Sequence, residues 1–312
     1  MSTYISSSTL DKAVEIALLL NKPLLLCGEP GTGKTALAKA LATRYNKSAP
    51  NGCSPFLPEP LIFSTKTTSA ATDLFYTYDS LARLRDAYNN EKKEAEDYIR
   101  LNALGKAIAI KHGRNSKGLD KLVKLKIFDT VNLPNTEPLS SVVLIDEIDK
   151  APRDFPNDIL NEIDEYAFEI REIPAEIPAA ANDAKILVIM TSNNEKSLPD
   201  AFLRRCIFHY IEFPETQLAA ILESHLPGIS TDLDVLTPVI DLFNKFRGLA
   251  VIKKPATAEL ISWVTYLQTN NLLKTIQTKN KIGENEAITA GLGILFKNQS
   301  DQLKAKEFLS RY

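Results

Sequence analysis

Residues 24–36 read Leu24-Leu25-Leu26-Cys27-Gly28-Glu29-Pro30-Gly31-Thr32-Gly33-Lys34-Thr35-Ala36. The apolar run 24–27 is typical of a strand buried on both faces of a parallel sheet. Residues 28–35 fit the pattern G-x-x-x-x-G-K-[ST] at every position, and 36–44 then have the composition of a helix. Strand, glycine-rich loop and helix in this order are the context that the pattern requires. The stretch therefore predicts a loop that binds phosphate groups.

The glycine-rich loop predicts a binding site for ATP. Its glycines allow backbone N–H groups to curl around the phosphates, and the helix that follows directs its positive end at them. Lys34 is expected to reach the β- and γ-phosphates, and the Thr35 hydroxyl is expected to bind Mg²⁺. The predicted nucleotide contacts in this stretch are Gly28, Glu29, Pro30, Gly31, Thr32, Gly33, Lys34, Thr35 and Ala36.

A second apolar run ends in two acidic residues. Residues 142–145 predict a buried strand, and Asp146 and Glu147 follow it directly. At the carboxyl edge of a parallel sheet, Asp146 is placed to hold Mg²⁺ and Glu147 to polarise an attacking water. These acids predict hydrolysis of ATP to ADP and phosphate. We assign the neighbouring Asp149 and Lys150 to a solvated loop.

Polar residues follow a third apolar run, 186–190. Asn193 is placed to orient a water near the γ-phosphate, although a turn built from Asn and Ser is a strong alternative. Farther along, Arg204 and Arg205 lie between apolar flanks. Adjacent arginines are usually solvated, so this pair does not by itself predict a function.

The distribution of apolar runs predicts an α/β fold. Runs at 61–63, 142–145 and 186–190, with a helix around 156–164 between the last two, indicate strands that alternate with helices. After Pro214 the pattern predicts helices and no buried strand; these helices are Leu218–His225, 233–246, Thr257–Thr269 and 284–295. We predict a three-layer αβα core with a parallel sheet in 1–214, followed by an all-α lid in 215–312.

The long separation between Lys34 and Asp146 leaves room for an insertion at about 66–130. Within it, 88–104 is polar and predicts a long helix, 127–128 is a weak strand candidate, and 111–118 is predicted to be an exposed basic loop.

The composition excludes several classes of protein. A net charge of −2 gives no reason to expect a nucleic-acid or membrane surface. The three cysteines are widely spaced and form neither a disulfide framework nor a metal-ligand motif. No signal peptide and no apolar run long enough to cross a membrane is found, so we predict a cytoplasmic location.

The ordered set of motifs resembles an AAA+ ATPase and, within that class, the MoxR-like group related to dynein. The resemblance covers nearly the whole chain, and 162–170 is similar to the family's helix leading into a short hairpin insert. It implies that Asn193, with Asn194 as second choice, is the sensor 1 residue. It also implies that Arg204 and Arg205 are arginine fingers that complete the site of a neighbouring subunit, in a homo-oligomer expected to be a hexamer.

Two departures from the family's pattern affect the remaining assignments. The sensor 2 arginine at the start of a lid helix is missing, and Lys254 or Lys253 is the predicted substitute at the γ-phosphate. The aromatic residues within 73–79 either line a central pore or pack locally. The family also suggests a protein substrate or adaptor such as a von Willebrand factor A-domain protein, although no residue here identifies one.

The leading hypothesis is therefore a ring-forming ATPase that remodels or matures a protein partner. Three alternatives stay open. One is a DNA-directed AAA+ motor or the NTPase of a restriction or defence system, supported only by the basic segment 111–118. The others are a P-loop kinase, against which Glu147 argues, and an assembly switch with negligible turnover.

Overall fold

The computed structural model describes residues 4–91, 93–113, 137–173, 175–177, 179, 180, 182–193, 195–226, 233–278 and 282–311. These residues form two compact units. The sheet unit comprises Ser7–Cys27 and Lys34–Tyr210, and the helical unit comprises the described parts of Met1–Ser6, Gly28–Gly33 and Ile211–Tyr312. Most of the glycine-rich loop is therefore grouped with the C-terminal helices.

Parallel strands form the centre of the sheet unit. The described strands are β1 (Leu24–Gly28), β2 (Leu61–Ser64), β3 (Tyr76–Tyr78), β4 (Ile99–Leu101), β5 (Ser141–Asp146), β6 (Phe168–Ile170), β7 (Ala175–Ile177), β8 (Ile186–Ser192) and β9 (Ile207–Ile211). Five of them form one sheet in the order β2-β5-β8-β1-β9, in which β2–β5, β5–β8 and β8–β1 pair in parallel. Strands β1 and β8 are buried throughout, as expected when helices cover both faces.

Helices cover this sheet and form most of the described part of the helical unit. The described helices are α1 (Ser8–Leu20), α2 (Lys34–Lys47), α3 (Ser80–Tyr88), α4 (Ala103–His112), α5 (Phe155–Asp158), α6 (Leu160–Glu165), α7 (Asp200–Leu203), α8 (Leu218–His225), α9 (Leu233–Gly248), α10 (Thr257–Thr269), α11 (Leu273–Thr278), α12 (Glu286–Leu295) and α13 (Gln299–Ser310). Alternate residues of the strands, such as Val143 and Val188, share a core with Leu104 of α4. Helix α1 contacts β8, and helix α2 contacts both β5 and β8. The predicted αβα core with a parallel sheet, followed by a helical region, is confirmed.

One local prediction in the sheet unit was wrong, and one strand was missed. The long helix predicted over 88–104 does not form, because α3 ends at Tyr88 and β4 occupies 99–101, where it pairs antiparallel with β3. Strand β9 was not predicted, since its half-buried and exposed residues alternate and leave no continuous apolar run. The strand candidate 127–128 and the basic residues 114–118 lie outside the described residues.

A short hairpin follows α6, in agreement with the prediction from the family resemblance. Strands β6 and β7 pair antiparallel, with Phe168 opposite Ile177 and Ile170 opposite Ala175. Phe168 and Ile170 are buried in the core of the sheet unit, and the Phe168 ring stacks on Phe75 at 5.1 Å between centroids. The hairpin is therefore anchored by apolar packing as well as by its backbone hydrogen bonds.

The helical unit has a core of its own. Trp263 of α10 is fully buried, and Phe246 of α9 meets Trp263 and Phe296 edge-on at 6.0 and 5.6 Å between ring centroids. Such edge-to-face aromatic pairs are favourable beyond the apolar area that they bury. The predicted helices in this region are present, and α11 and α13 are additional helices. In the described part of the chain, no helix combines the length and the apolarity needed to cross a membrane.

Candidate active site

The glycine-rich loop adopts a backbone that only glycine accommodates easily. Gly31 has a φ of +76°, and a Cβ atom added to it would lie 2.8 Å from the Cβ of Ala256. A Cβ added to Gly28 would lie 2.6 Å from the carbonyl oxygen of Ile211. Within the loop, the Thr32 hydroxyl donates a hydrogen bond to the carbonyl of Glu29 at 2.9 Å. The glycines of the pattern thus allow the loop to pack closely against backbone and small side chains of the helical unit.

Helix α2 begins at Lys34 and positions Lys34 and Thr35, the residues predicted to contact the phosphates and Mg²⁺. Lys34 is buried, and burial lowers the pKa of its ammonium group, while the nearby Asp149, Asp146 and Glu147 act in the opposite direction. Among the other predicted contacts, Pro30, Thr35 and Ala36 are exposed, which leaves them accessible to a ligand; Gly33 is half-buried.

Thr35 and Asp146 are adjacent in the sheet unit, although 35 and 146 are far apart in the sequence. The Thr35 hydroxyl lies 3.0 and 3.2 Å from the two carboxylate oxygens of Asp146. Asp146 ends β5, and its position follows from the register of the sheet, in which Ile145 lies opposite Met190. The two side chains predicted to bind Mg²⁺ are therefore brought together by the fold.

Thr191 is a site residue whose individual role was not predicted. This buried hydroxyl donates to Asp146 Oδ1 at 2.6 Å and accepts from the backbone N–H of Glu147 at 2.8 Å. It thereby fixes Asp146, the last residue of β5, and Glu147, the residue after it. The signal in the sequence was a threonine near the end of a buried apolar run, since a buried hydroxyl needs hydrogen-bond partners.

The carboxylate of Glu147 is held by two side chains. The backbone at Glu147 is left-handed, with a φ of +57°, which is uncommon for a residue with a side chain. Its Oε2 atom pairs with Lys150 Nζ at 2.5 Å, and its Oε1 atom accepts from Asn193 Nδ2 at 3.3 Å. The structure thus brings Glu147 and Asn193 together, as their proposed roles require. Asn194 lies outside the described residues.

The prediction that Asp149 and Lys150 are solvated was wrong for Asp149, whereas Lys150 is partly exposed. Asp149 is buried, and its Oδ2 atom accepts from the backbone N–H groups of Asn193 and Glu195, each at 3.0 Å. Its Oδ1 atom is buried without a hydrogen-bond partner among the described residues. Asp149 ties the segment after β5 to the segment after β8, because a buried carboxylate is stabilised by such donors.

The two arginines that follow α7 have different environments. Arg204 is exposed, whereas Arg205 is half-buried and its Nε atom pairs with Asp164 Oδ2 at 3.3 Å. Within the described residues no ion pair involves Arg204. Of the two, Arg204 is therefore the arginine whose charge is available to a second molecule.

A buried arginine in the helical unit contacts the glycine-rich loop and was missed from the sequence. Arg247 Nη2 donates to Glu29 Oε2 at 2.8 Å, and its guanidinium lies 3.4 Å from the ring centroid of Phe213. The predicted sensor 2 substitutes, Lys253 and Lys254, are both exposed. No spacing rule links Arg247 to the loop, so only the fold reveals this contact.

These features define a class of protein and then a family. A glycine-rich loop between a buried strand and a helix, with a Thr–Asp pair at the carboxyl edge of a parallel sheet, defines a P-loop nucleotide-binding fold. The family model described as "ATPase family associated with various cellular activities (AAA)" matches residues 24–215, more than half of the chain. The chain belongs to this family, and it is an ATPase.

Comparisons with individual proteins add little to the family match. A solved structure of NtrX from Brucella abortus in complex with ATP is similar over 99% of this chain and 68% of that chain, with 12% sequence identity and a TM-score of 0.49. The comparison with curated proteins gives no match.

Proposed function

We propose that this chain is a MoxR-like AAA+ ATPase that assembles into a ring and uses ATP hydrolysis to remodel or mature a protein partner. The observation that carries the proposed chemistry is the contact between the Thr35 hydroxyl and the Asp146 carboxylate, at 3.0 Å, with Glu147 next in the chain. This arrangement joins the start of α2 to the end of β5 within the sheet unit. A hydroxyl and a carboxylate in contact at this position are expected in a site that hydrolyses a nucleoside triphosphate.

The donor atoms at this point fit Mg²⁺. Thr35 and Asp146 offer only oxygen atoms, which Mg²⁺ prefers, and one carboxylate with one hydroxyl leaves room for waters and phosphate oxygens. Among the described residues no group of three or more His, Cys, Asp and Glu side chains could hold a metal, which is consistent with a site completed by the substrate. When bound, Mg²⁺ would neutralise charge on the phosphates.

In the proposed reaction, Lys34 binds phosphate oxygens and Glu147 polarises the attacking water. Asn193 already contacts the Glu147 carboxylate, so it is suited to orient that water. Glu147 Oε2 is paired with Lys150 here, and this pair has to open before the atom can accept a proton from water. Because both side chains are more than a third exposed, solvent screens the pair and opening it costs little.

The proposed ring places an arginine of one subunit at the ATP site of the next. Arg204 is exposed and is our choice for this finger, while Arg205 pairs with Asp164 and supports the same segment. A cation that reaches the γ-phosphate stabilises the charge of the transition state and is worth roughly 10³–10⁵ in rate. We accordingly propose a homo-oligomer, expected to be a hexamer, whose isolated subunit binds ATP but hydrolyses it slowly.

The remaining assignments have two sources. A protein substrate or adaptor of the von Willebrand factor A-domain type, and Lys254 or Lys253 as the sensor 2 residue, rest on the resemblance to MoxR-like proteins. A cytoplasmic location and a lid formed by 215–312 rest on the sequence pattern. The hairpin of β6 and β7 supports the MoxR-like assignment, because it stands at the position where that resemblance expects it.

The Glu147→Gln variant tests the proposed hydrolysis. It should bind ATP within about threefold of the wild type, because the amide keeps the shape of the side chain, while turnover falls at least about 100-fold. The assay is release of inorganic phosphate, with Glu165→Gln, an exposed glutamate at the end of α6, as the matched control. Wild-type turnover in the Glu147→Gln variant would remove Glu147 from its role. A phosphorylated acceptor in place of free phosphate would favour a kinase.

Mixing two inactive variants tests the shared site. An Arg204→Ala subunit keeps its phosphate loop, and a Lys34→Ala subunit keeps its arginine. A mixed assembly should therefore regain activity that neither variant has alone. If mixing at equal total concentration gives no gain, Arg204 does not act on a neighbouring subunit.

A further inference from the structure

Arg247 occupies a site in the helical unit that is unusual for an arginine. It lies near the end of α9 and is only 6% exposed. Its Nη1 atom donates to the carbonyl of Pro255, its Nη2 atom donates to Glu29 Oε2 at 2.8 Å, and the plane of the guanidinium lies over the ring of Phe213. Its Nε atom is buried without an acceptor among the described residues. A buried guanidinium is costly unless its charge is compensated, and in the described chain Glu29 is the carboxylate that compensates it.

Glu29 is equally unusual from the side of the loop. It is the second residue of a loop that is expected to bind phosphates, and its carboxylate adds a negative charge where the ligand is itself an anion. Like charges at close range repel each other, and such repulsion weakens binding. The pattern G-x-x-x-x-G-K-[ST] leaves this position unspecified, so the glutamate needs an explanation from the structure.

The loop also makes a packing contact in addition to the pair of Glu29 with Arg247. Gly31 packs against Ala256 at the start of α10, and the backbone N–H of Ala256 donates to Glu259 Oε2 at 3.1 Å. Pro255, which receives the second hydrogen bond of Arg247, directly precedes Ala256. Arg247 therefore connects the carboxylate of the loop with the backbone segment on which the loop packs.

We propose that Arg247 is a positioning residue for the phosphate loop, which acts through Glu29 by compensating the carboxylate charge and fixing its direction. The inference rests on the proposed role of 28–35 in nucleotide binding. It assigns to Arg247 an effect on the affinity for ATP and little effect on the chemical step, because Arg247 pairs with the loop rather than with Asp146 or Glu147.

The test is a set of four proteins titrated with ATPγS and Mg²⁺: wild type, Arg247→Gln, Glu29→Gln and the double variant. Arg247→Gln should weaken binding about tenfold, because it removes the guanidinium charge that pairs with the Glu29 carboxylate. The double variant should bind ATPγS no more weakly than Glu29→Gln alone, because Arg247→Gln has no further effect once the carboxylate is gone. The kcat of Arg247→Gln at saturating ATP should change less than about twofold.

Two further readouts separate this role from general support of the fold. The binding defect of Arg247→Gln should shrink as ionic strength rises, because Glu29 is partly exposed and its charge is screened by salt. Arg311→Gln, which removes an exposed arginine–glutamate pair from the same unit, should leave ATPγS affinity unchanged. If Arg247→Gln does not yield folded protein, as judged by its melting temperature, Arg247→Met with and without Glu29→Gln makes the same comparison, because methionine also removes the charge and suits a buried position.

The outcomes that overturn the inference are specific. A double variant as weak as Arg247→Gln means that Arg247 does not act through Glu29, whether it contacts the nucleotide or only supports the core. Unchanged affinity in Arg247→Gln has the same consequence. Lys34→Ala keeps the two proposals distinguishable: normal ATPγS binding in that variant would overturn the role of the loop itself. A defect in Lys34→Ala but not in Arg247→Gln would overturn only the present inference.

Discussion

The candidate functional residues of the two units form two parts that are held in different ways. In the sheet unit, Thr35, Asp146 and Thr191 form a chain of hydrogen bonds at the carboxyl edge of parallel strands. In the helical unit, the loop Gly28–Gly33 is held by packing and by the pair of Glu29 with Arg247. We infer that Asp146, Glu147 and Thr191 determine mainly the rate of the chemical step, whereas Glu29 and Arg247 affect mainly the affinity for the nucleotide. Substitutions in the two parts should therefore have different kinetic signatures.

The largest expected effect is that of Lys34→Ala. Lys34 is buried and is the cation of the loop pattern, so its loss should weaken ATP binding by about 100-fold or more. Equilibrium titration with ATPγS measures it. Lys39→Ala, an exposed lysine on the same helix, is the control and should bind like the wild type. Equal affinities in the two variants would contradict the assignment of the loop.

Thr35→Val tests the proposed Mg²⁺ site. The substitution keeps the shape of the side chain but removes the hydroxyl that contacts Asp146. We expect kcat to fall about 10- to 100-fold and the Mg²⁺ concentration needed for half-maximal activity to rise, since one oxygen ligand is lost. Thr35→Ser, which retains the hydroxyl, should restore most of the activity. If Thr35→Val shows an unchanged Mg²⁺ dependence, Thr35 is not a ligand.

Thr191→Val should give a smaller, purely kinetic effect. It removes two hydrogen bonds, one to Asp146 Oδ1 and one from the partly buried backbone N–H of Glu147, each worth about 0.5–1.5 kcal/mol. We expect kcat to fall about tenfold with ATPγS affinity within about threefold, and Thr191→Ser to recover. A loss of affinity with normal kcat would place Thr191 in the binding part of the site instead.

The smallest expected effect is that of Lys150→Met. It frees Glu147 Oε2 from an ion pair in which both side chains are more than a third exposed. Such exposed pairs contribute little free energy, so kcat should rise by no more than about fivefold. Steady-state phosphate release measures this change. A drop of tenfold or more would show that Lys150 takes part in the reaction.

The sheet part of the site was largely predictable from sequence. A continuous apolar run marks a buried parallel strand, and the residue after it lies at the carboxyl edge of the sheet, where ligands bind. That rule located Asp146, Glu147 and Asn193, which the structure brings together. It did not extend to Asp149, because the sequence pattern gives no sign that a carboxylate three residues beyond the strand is buried and accepts two backbone N–H groups.

The helical part could not be predicted, for a physical reason. The pair of Glu29 with Arg247 joins residues far apart in the chain, and its geometry depends on how α9 packs against Phe213 and Pro255. An arginine near the end of a helix is most simply interpreted as a solvated residue that favours the helix dipole. Charge and spacing alone cannot distinguish that role from a buried contact, so the burial of Arg247 is information that only the fold supplies.

Measuring kcat and ATPγS affinity side by side for Glu147→Gln and Arg247→Gln tests the central claim most directly. The account predicts opposite profiles. Glu147→Gln should lose at least about 100-fold in kcat with affinity within about threefold, and Arg247→Gln should lose about tenfold in affinity with nearly normal kcat at saturation. If both variants lose affinity and turnover in the same proportion, the division of the site into a chemical part and a binding part is contradicted.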